Sequence, residues 1–168
     1  MNQYRELLIS RKDQGNYFWE LRSCKYWSDF ESNKIILGRF MNSPLFTLDK
    51  HNFFHNDALY MIPNVAEYEV SVLNSSTGWW FLTQICTDLA NGYLQAFRGN
   101  LFQIPIPDPK KDPDRIAQIE SLVQQILDQK QTNPAADVSA IEREIDQHIY
   151  QLYDLTIDEI QIIETSTR

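Results

Sequence analysis

Pro105-Ile106-Pro107-Asp108-Pro109 divides this chain into two parts with different patterns. Each proline fixes φ, removes a backbone donor and disfavours helix in the residue before it, so the stretch reads as a stiff, extended connector. Beyond it the pattern is helical. Pro113 stands where a first-turn residue belongs, between Asp112 and Asp114, which suit a helix N-terminus. Ile116, Ile119, Leu122, Val123, Ile126 and Leu127 follow at steps of three and four, giving one stripe of a helix that runs to about Lys130. Thr132-Asn133-Pro134 ends it. Ser139 and Glu142 have capping-box spacing for a second helix striped by Ile141, Ile145, Ile149 and Leu152. Thr156 and Glu159 repeat the box for a short third helix with Ile160 and Ile163. Glu142, Glu144 and Asp146 read as the solvated face of this hairpin.

Upstream of the connector the chain is aromatic-rich, and only Tyr150 and Tyr153 among its Phe, Trp and Tyr residues lie beyond it. Residues 18–22 alternate and 34–37 form a short buried run, both consistent with strands. Phe46-Thr47-Leu48-Asp49 and the run 53–62 read as a hairpin turning at 49–52. Residues 67–73 read as a helix, punctuated by Asn74-Ser75-Ser76-Thr77. A second helix follows through Trp80, Phe81, Gln84 and Ile85. The predicted class is α+β: a small mixed sheet with packed helices over residues 1–107, then a C-terminal helical hairpin over 108–168.

At 168 residues and 43% hydrophobic, the chain can bury a real core, which excludes wholesale disorder. No apolar run approaches the roughly 20 residues that span a bilayer, and Met1-Asn2-Gln3-Tyr4-Arg5-Glu6 lacks the apolar core of a secretory signal. Cys24 and Cys86 make neither a disulfide framework nor a CxxC metal spacing. The expectation is a cytoplasmic protein with no membrane partner. The net charge of −8 argues against nucleic-acid binding until it is divided along the chain. Residues 105–168 carry −7 of it, whereas residues 1–50 are at +2.

The motifs of autonomous chemistry are missing. Gly15, Gly38, Gly78, Gly92 and Gly99 never form a GxG turn that could approach a nucleotide or S-adenosylmethionine, and no P-loop is present. Asn133-Pro134-Ala135-Ala136 lacks the second proline and the aromatic of an adenine-gripping loop. Asp108-Pro109-Lys110 has a nuclease-like spacing but lies in the connector, and Glu31 with Lys34 is one residue too wide. His51 and His55 read as turn and strand polar residues rather than metal ligands. Cys86 and the Trp79-Trp80-Phe81 run read as core. Tyr17, Trp19, Tyr26 and Trp27 are interleaved with Arg11, Lys12, Arg22, Lys25, Lys34 and Arg39, which suits either a groove-reading surface or scattered surface charge.

Several strings in order carry a resemblance: Trp19-Glu20-Leu21-Arg22, Lys34-Ile35-Ile36, Phe46-Thr47-Leu48-Asp49, Leu73-Asn74-Ser75, Gly92-Tyr93-Leu94-Gln95-Ala96-Phe97 and Gln103-Ile104-Pro105-Ile106-Pro107. Together they resemble the TaqI-like specificity domain. That is the C-terminal target-recognition domain of type IIG restriction–modification enzymes and related adenine-N6 DNA methyltransferases. The segment from Glu144 through Tyr153-Asp154-Leu155-Thr156 to Ile160 is similar to the family's closing string, so the likeness runs from about residue 11 to 164. Asp154 stands where the family usually has glycine, and Gly38-Arg39-Phe40-Met41 replaces a proline-containing stretch.

The resemblance implies a sequence-specific DNA recognition module whose partner is double-stranded DNA. The nuclease and methyltransferase domains, with their S-adenosylmethionine and magnesium, are then expected to be missing from this chain, which has no cofactor of its own. It is expected to be a gene fragment or a separate specificity subunit that works with a methyltransferase or nuclease subunit. Candidate DNA contacts are Arg22, Lys25, Tyr26, Lys34, Arg39, Asn42, Asn91 and Arg98, chosen for phosphate attraction and bidentate base contacts on the loops around 39–42 and 91–98. The acidic tail is expected to face away from DNA and to pack on the recognition region or on a partner. The competing expectation is a partner-docking protein or inactive fragment that binds no DNA alone.

Overall fold

The computed structural model describes residues 2–166. In chain order it contains α1 (Arg5–Ile9), α2 (Trp27–Phe30), β1 (Lys34–Gly38), β2 (Phe40–Met41), β3 (Thr47–Asp49), β4 (Leu59–Pro63), α3 (Glu67–Asn74), α4 (Ser76–Ile85), β5 (Thr87–Leu89), β6 (Tyr93–Gln95), α5 (Arg98–Leu101), α6 (Pro113–Thr132), α7 (Ser139–Leu152) and α8 (Ile157–Ser166). The class is α+β. The strands form two small sheets, ordered β3-β1-β4 and β2-β6-β5, and every pairing in them is antiparallel rather than mixed.

β1 takes the centre of its sheet, between β3 and β4. Ile35 and Leu37 are buried on the core side. The expected hairpin of β3 with β4 does not form. β1 pairs with both, Lys34 opposite Asp49 on one side and opposite Pro63 on the other. Residues 50–58 must therefore cross the sheet. Asp49 holds the start of that crossing by accepting from the amides of His51 and Phe53, each at 2.8 Å. The strand expected over 18–22 is also absent. Arg11 donates to the carbonyls of Phe18 and Glu20, and the Gly15 amide donates to the Glu20 carbonyl, so these backbone groups are occupied without a neighbouring strand.

α3 and α4 back the first sheet, joined by a tight corner. Ser75 accepts from the Gly78 amide as the N-cap of α4. Gly78 is required there: a Cβ would stand 2.2 Å from the Val72 carbonyl oxygen. Asn74 closes α3 on the sheet, since its amide side chain accepts from Phe46 N and donates to Phe46 O. One apolar cluster joins Ile35, Leu37, Met41, Phe46, Leu82 and Leu94, with Trp79, Phe81 and Cys86 packed against it.

A second cluster joins Tyr68 and Val72 of α3 to Ile116, Ile119 and Leu122 of α6 and Ile145 and Ile149 of α7. α3 thus serves two cores, one from each side. The proline connector is strapped by two tyrosines. A proline lacks an N–H but keeps its carbonyl, and the hydroxyls of Tyr68 and Tyr153 donate to the carbonyls of Pro107 and Pro105. Burial pushes the Tyr153 hydroxyl up to about 12, so it stays protonated as a donor.

Two tail expectations are corrected. Ser139 and Glu142 do not form a capping box. α7 starts one residue earlier in effect, with Val138 at the cap position and the Ser139 amide donating to Asp137 Oδ1. Asp146 is not on a solvated face. Its two oxygens accept from Ser76 N at 2.9 Å and Ser76 Oγ at 2.7 Å, so a carboxylate of α7 caps the first turn of α4. Burial raises the Asp146 carboxyl above its ordinary value, partly offset by the Ser76 bonds. The Thr156–Glu159 box is present. Asp154 takes the left-handed conformation at φ 54°, with Leu155 N bonded to Tyr150 O and Asp154 N to Gln151 O, which is a Schellman closure.

Candidate nucleic-acid interface

The second sheet is where loop residues far apart in sequence meet. β2 pairs with β6, Phe40 opposite Gln95 and Met41 opposite Leu94, while Ala96 N donates to Arg39 O. Arg39 and Arg98 therefore flank one end of this ladder. Asn42 and Asn91 flank the other. β5 completes the sheet with Thr87 opposite Gln95 and Leu89 opposite Tyr93. Side chains alternate along a strand. Met41 and Leu94 point into the core at 2% and 6% exposure, so Phe40, Tyr93, Gln95 and Thr87 share the outer face.

Each element of this region has a local cause. Asn91 and Gly92 both adopt left-handed φ, 72° and 74°, which Asn and Gly tolerate best, and this closes the β5–β6 hairpin. Asn91 thus has a backbone reason for its place as well as an exposed side chain. α5 is anchored by Asn100, which accepts from Phe97 N and donates to Ile85 O at the end of α4. Arg98 then lies 5.0 Å over the Phe102 ring, and Arg39 lies 5.5 Å over Tyr60 of β4.

Charge supports the same face. No Asp or Glu occurs between Glu31 and Asp49, nor between Asp88 and Asp108. Asp88 itself is level with Leu94 and Met41, on the opposite side of the sheet from Phe40 and Tyr93. Arg39 and Arg98 are therefore not neutralised within this surface.

The remaining candidates lie elsewhere. Arg22, Lys25 and Tyr26 are exposed on the segment entering α2. Arg22 makes a single 3.4 Å ion pair with Asp13, with both side chains more than 70% exposed, a contact of little energetic weight that leaves the guanidinium accessible. Tyr26 belongs to an aromatic layer in which Phe30 stacks on Phe54 at 4.8 Å and Trp27 tilts against Phe54. Lys34 is removed from the interface. Its side chain is fully buried, 2.6 Å from Asp49 and bonded to Phe30 O at 2.7 Å, so no phosphate can reach it. The alternation of β1 puts Lys34 on the face opposite Ile35 and Leu37, where Asp49 and the Phe30 carbonyl take up its ammonium.

Phe40, Tyr93 and Phe102 are surface residues that the sequence does not single out. Their signal is a period-two alternation only two or three residues long, too short to separate from a loop. Among the described residues no group of three or more His, Cys, Asp and Glu side chains is placed to hold a metal ion. No helix among them is long and apolar enough to cross a membrane.

An α+β module presenting exposed aromatics, Asn and Gln on an acid-free sheet face flanked by arginines has the make-up of a nucleic-acid-recognition module. The family model of the TaqI-like C-terminal specificity domain matches residues 3–106, and the chain belongs to that family. It is accordingly a DNA-recognition module of a methyltransferase system. A search of curated proteins returns no match.

Proposed function

We propose that this chain supplies target recognition to a type IIG-like restriction–modification or adenine-N6 methyltransferase system and leaves catalysis to other domains or to a separate subunit. S-adenosylmethionine and magnesium belong to those catalytic parts. The observation that carries the reading is the family match over residues 3–106, which includes both strands of the β2–β6 ladder and its flanking loops. In this division of labour residues 1–107 read DNA and residues 108–168 brace them. Arg98, Asn42 and Asn91 face the duplex, with Arg22, Lys25 and Tyr26 extending the contact along the phosphate backbone. Arg39 is half-buried against Tyr60 and acts more through the shape of the sheet end than through free charge. The acidic tail, at −7, faces away from phosphate.

Fluorescence anisotropy with a randomised duplex library tests this, at about 50 and 200 mM salt, where a few phosphate contacts change affinity strongly. Binding that weakens with salt, enriches particular sequences and loses part of its salt slope in Arg98→Ala is the expected result. No binding at the lower salt would overturn it. One observation favours partner docking as a second reading: from Gln3 to Asn33 no residue is buried, although Leu7, Tyr17, Trp19 and Leu21 are among them. In that case Trp19→Asp and Leu21→Asp abolish complex formation with a methyltransferase subunit, and Arg98→Ala leaves it intact.

A further inference from the structure

We propose that the outer face of the β2–β6–β5 sheet is a stacking platform for an unpaired nucleobase, so that the module holds a base displaced from the duplex as well as the duplex around it. The inference rests on the DNA-recognition reading and adds a ligand class to the same site. Phe40 is 54% exposed and Tyr93 41%, although each neighbours a residue that is almost wholly buried, Met41 and Leu94. The strand register makes Phe40 and Tyr93 diagonal neighbours, because Phe40 faces Gln95 and Tyr93 lies two residues before it. Each side chain is left about half exposed, and neither ring stacks on another aromatic among the described residues.

Around these rings lies what an extruded nucleotide requires. Gln95, between them on the same face, can donate to and accept from a base edge. Arg98 stands at the end of the ladder for the phosphate, already stacked over Phe102, itself 73% exposed. The three strands put no carboxylate on this face, since Asp88, their only acid, is level with Leu94 on the other side, so the sheet itself sets no negative charge beside a phosphodiester. In a paired and stacked duplex a flat aromatic face finds no free base face to cover. Sheet-borne aromatics of this kind are matched instead to bases that have left the stack.

The test is anisotropy with the full chain on two labelled DNAs, a perfect duplex and the same duplex with one unpaired adenine, in which the cost of unstacking is already met. Wild type is expected to favour the bulged duplex. Phe40→Ala and Tyr93→Ala are expected to weaken binding to it by roughly 5- to 150-fold, the range of one lost base–aromatic stack, without changing the salt slope. Phe40→Tyr is expected to retain the preference, and all three variants should melt with the wild type because the rings are half exposed. Equal affinity of wild type for both DNAs, or alanine variants that keep the preference, overturns the platform while DNA recognition stands. No binding of wild type to either DNA overturns both.

Discussion

Lys34→Met separates a buried structural lysine from a DNA-contacting one. The Lys34 ammonium lies 2.6 Å from Asp49, and the two side chains are 0% and 2% exposed. Methionine keeps most of the aliphatic stem, so little cavity is created, but Asp49 is left buried without its countercharge. Breaking a buried pair in this way costs about 3–5 kcal/mol, a large share of a typical domain stability of about 5–15 kcal/mol. With a urea slope near 2 kcal/mol/M, the unfolding midpoint at neutral pH should fall by about 1.5–2.5 M. Lys25→Met, on an exposed side chain, should stay within about 0.5 kcal/mol of wild type. The pH dependence carries a second signature. Burial pushes the Asp49 carboxyl up, but the Lys34 bond and the amides of His51 and Phe53 outweigh it, so the net shift is downward. A depressed aspartate contributes stability above its unfolded pKa of about 4 and loses it as pH falls through the native value. Because Asp49 becomes neutral on that acid side, the gap between Lys34→Met and wild type should narrow there. A midpoint shift under about 0.3 M at neutral pH, or a gap that widens in acid, would refute the reasoning.

Other expectations bear on the joints of the fold. Asp146→Ala removes both acceptors of Ser76 and should cost about 1–3 kcal/mol in urea unfolding. Asp146→Asn keeps an acceptor and removes the charge. The raised carboxyl makes native stability decline as pH rises from the ordinary value of about 4 through the native one, and Asp146→Asn should abolish that decline in a pH series of melts. Gly78→Ala drives a Cβ against the Val72 carbonyl and should lose about 1–3 kcal/mol; a melting temperature equal to wild type would show that the α3–α4 corner yields freely. Asp154→Gly relieves a left-handed residue bearing a Cβ and should raise stability by about 0.5–1 kcal/mol, a gain of about 1–4 °C by calorimetry.

The helical tail was legible in the sequence because its information is local. A stripe at steps of three and four needs no partner to be recognised, and Ile116, Ile119, Ile145 and Ile149 all became core. The proline connector, the Thr156–Glu159 box and the helices α3 and α4 follow from the same short-range chemistry. The family strings are equally a property of the sequence alone, and the specificity-domain match over 3–106 bears them out. Tertiary structure decided which strands pair, because pairing joins residues with no periodic signal between them. β1 inserts between β3 and β4, so the apparent hairpin opens and residues 50–58 become a crossing segment. The fate of a charge was decided there as well. Lys34 and Lys25 look alike in a sequence, yet the pleat of β1 buries one against Asp49 while the other remains in solvent. Asp146, one acid among three on α7, became a cap for α4 because a helix seventy residues away offered it an unsatisfied amide. The candidate interface has the same origin: Arg39, Asn42, Asn91 and Arg98 come together only through the β2–β6 ladder, a contact between strands too short to be read one at a time.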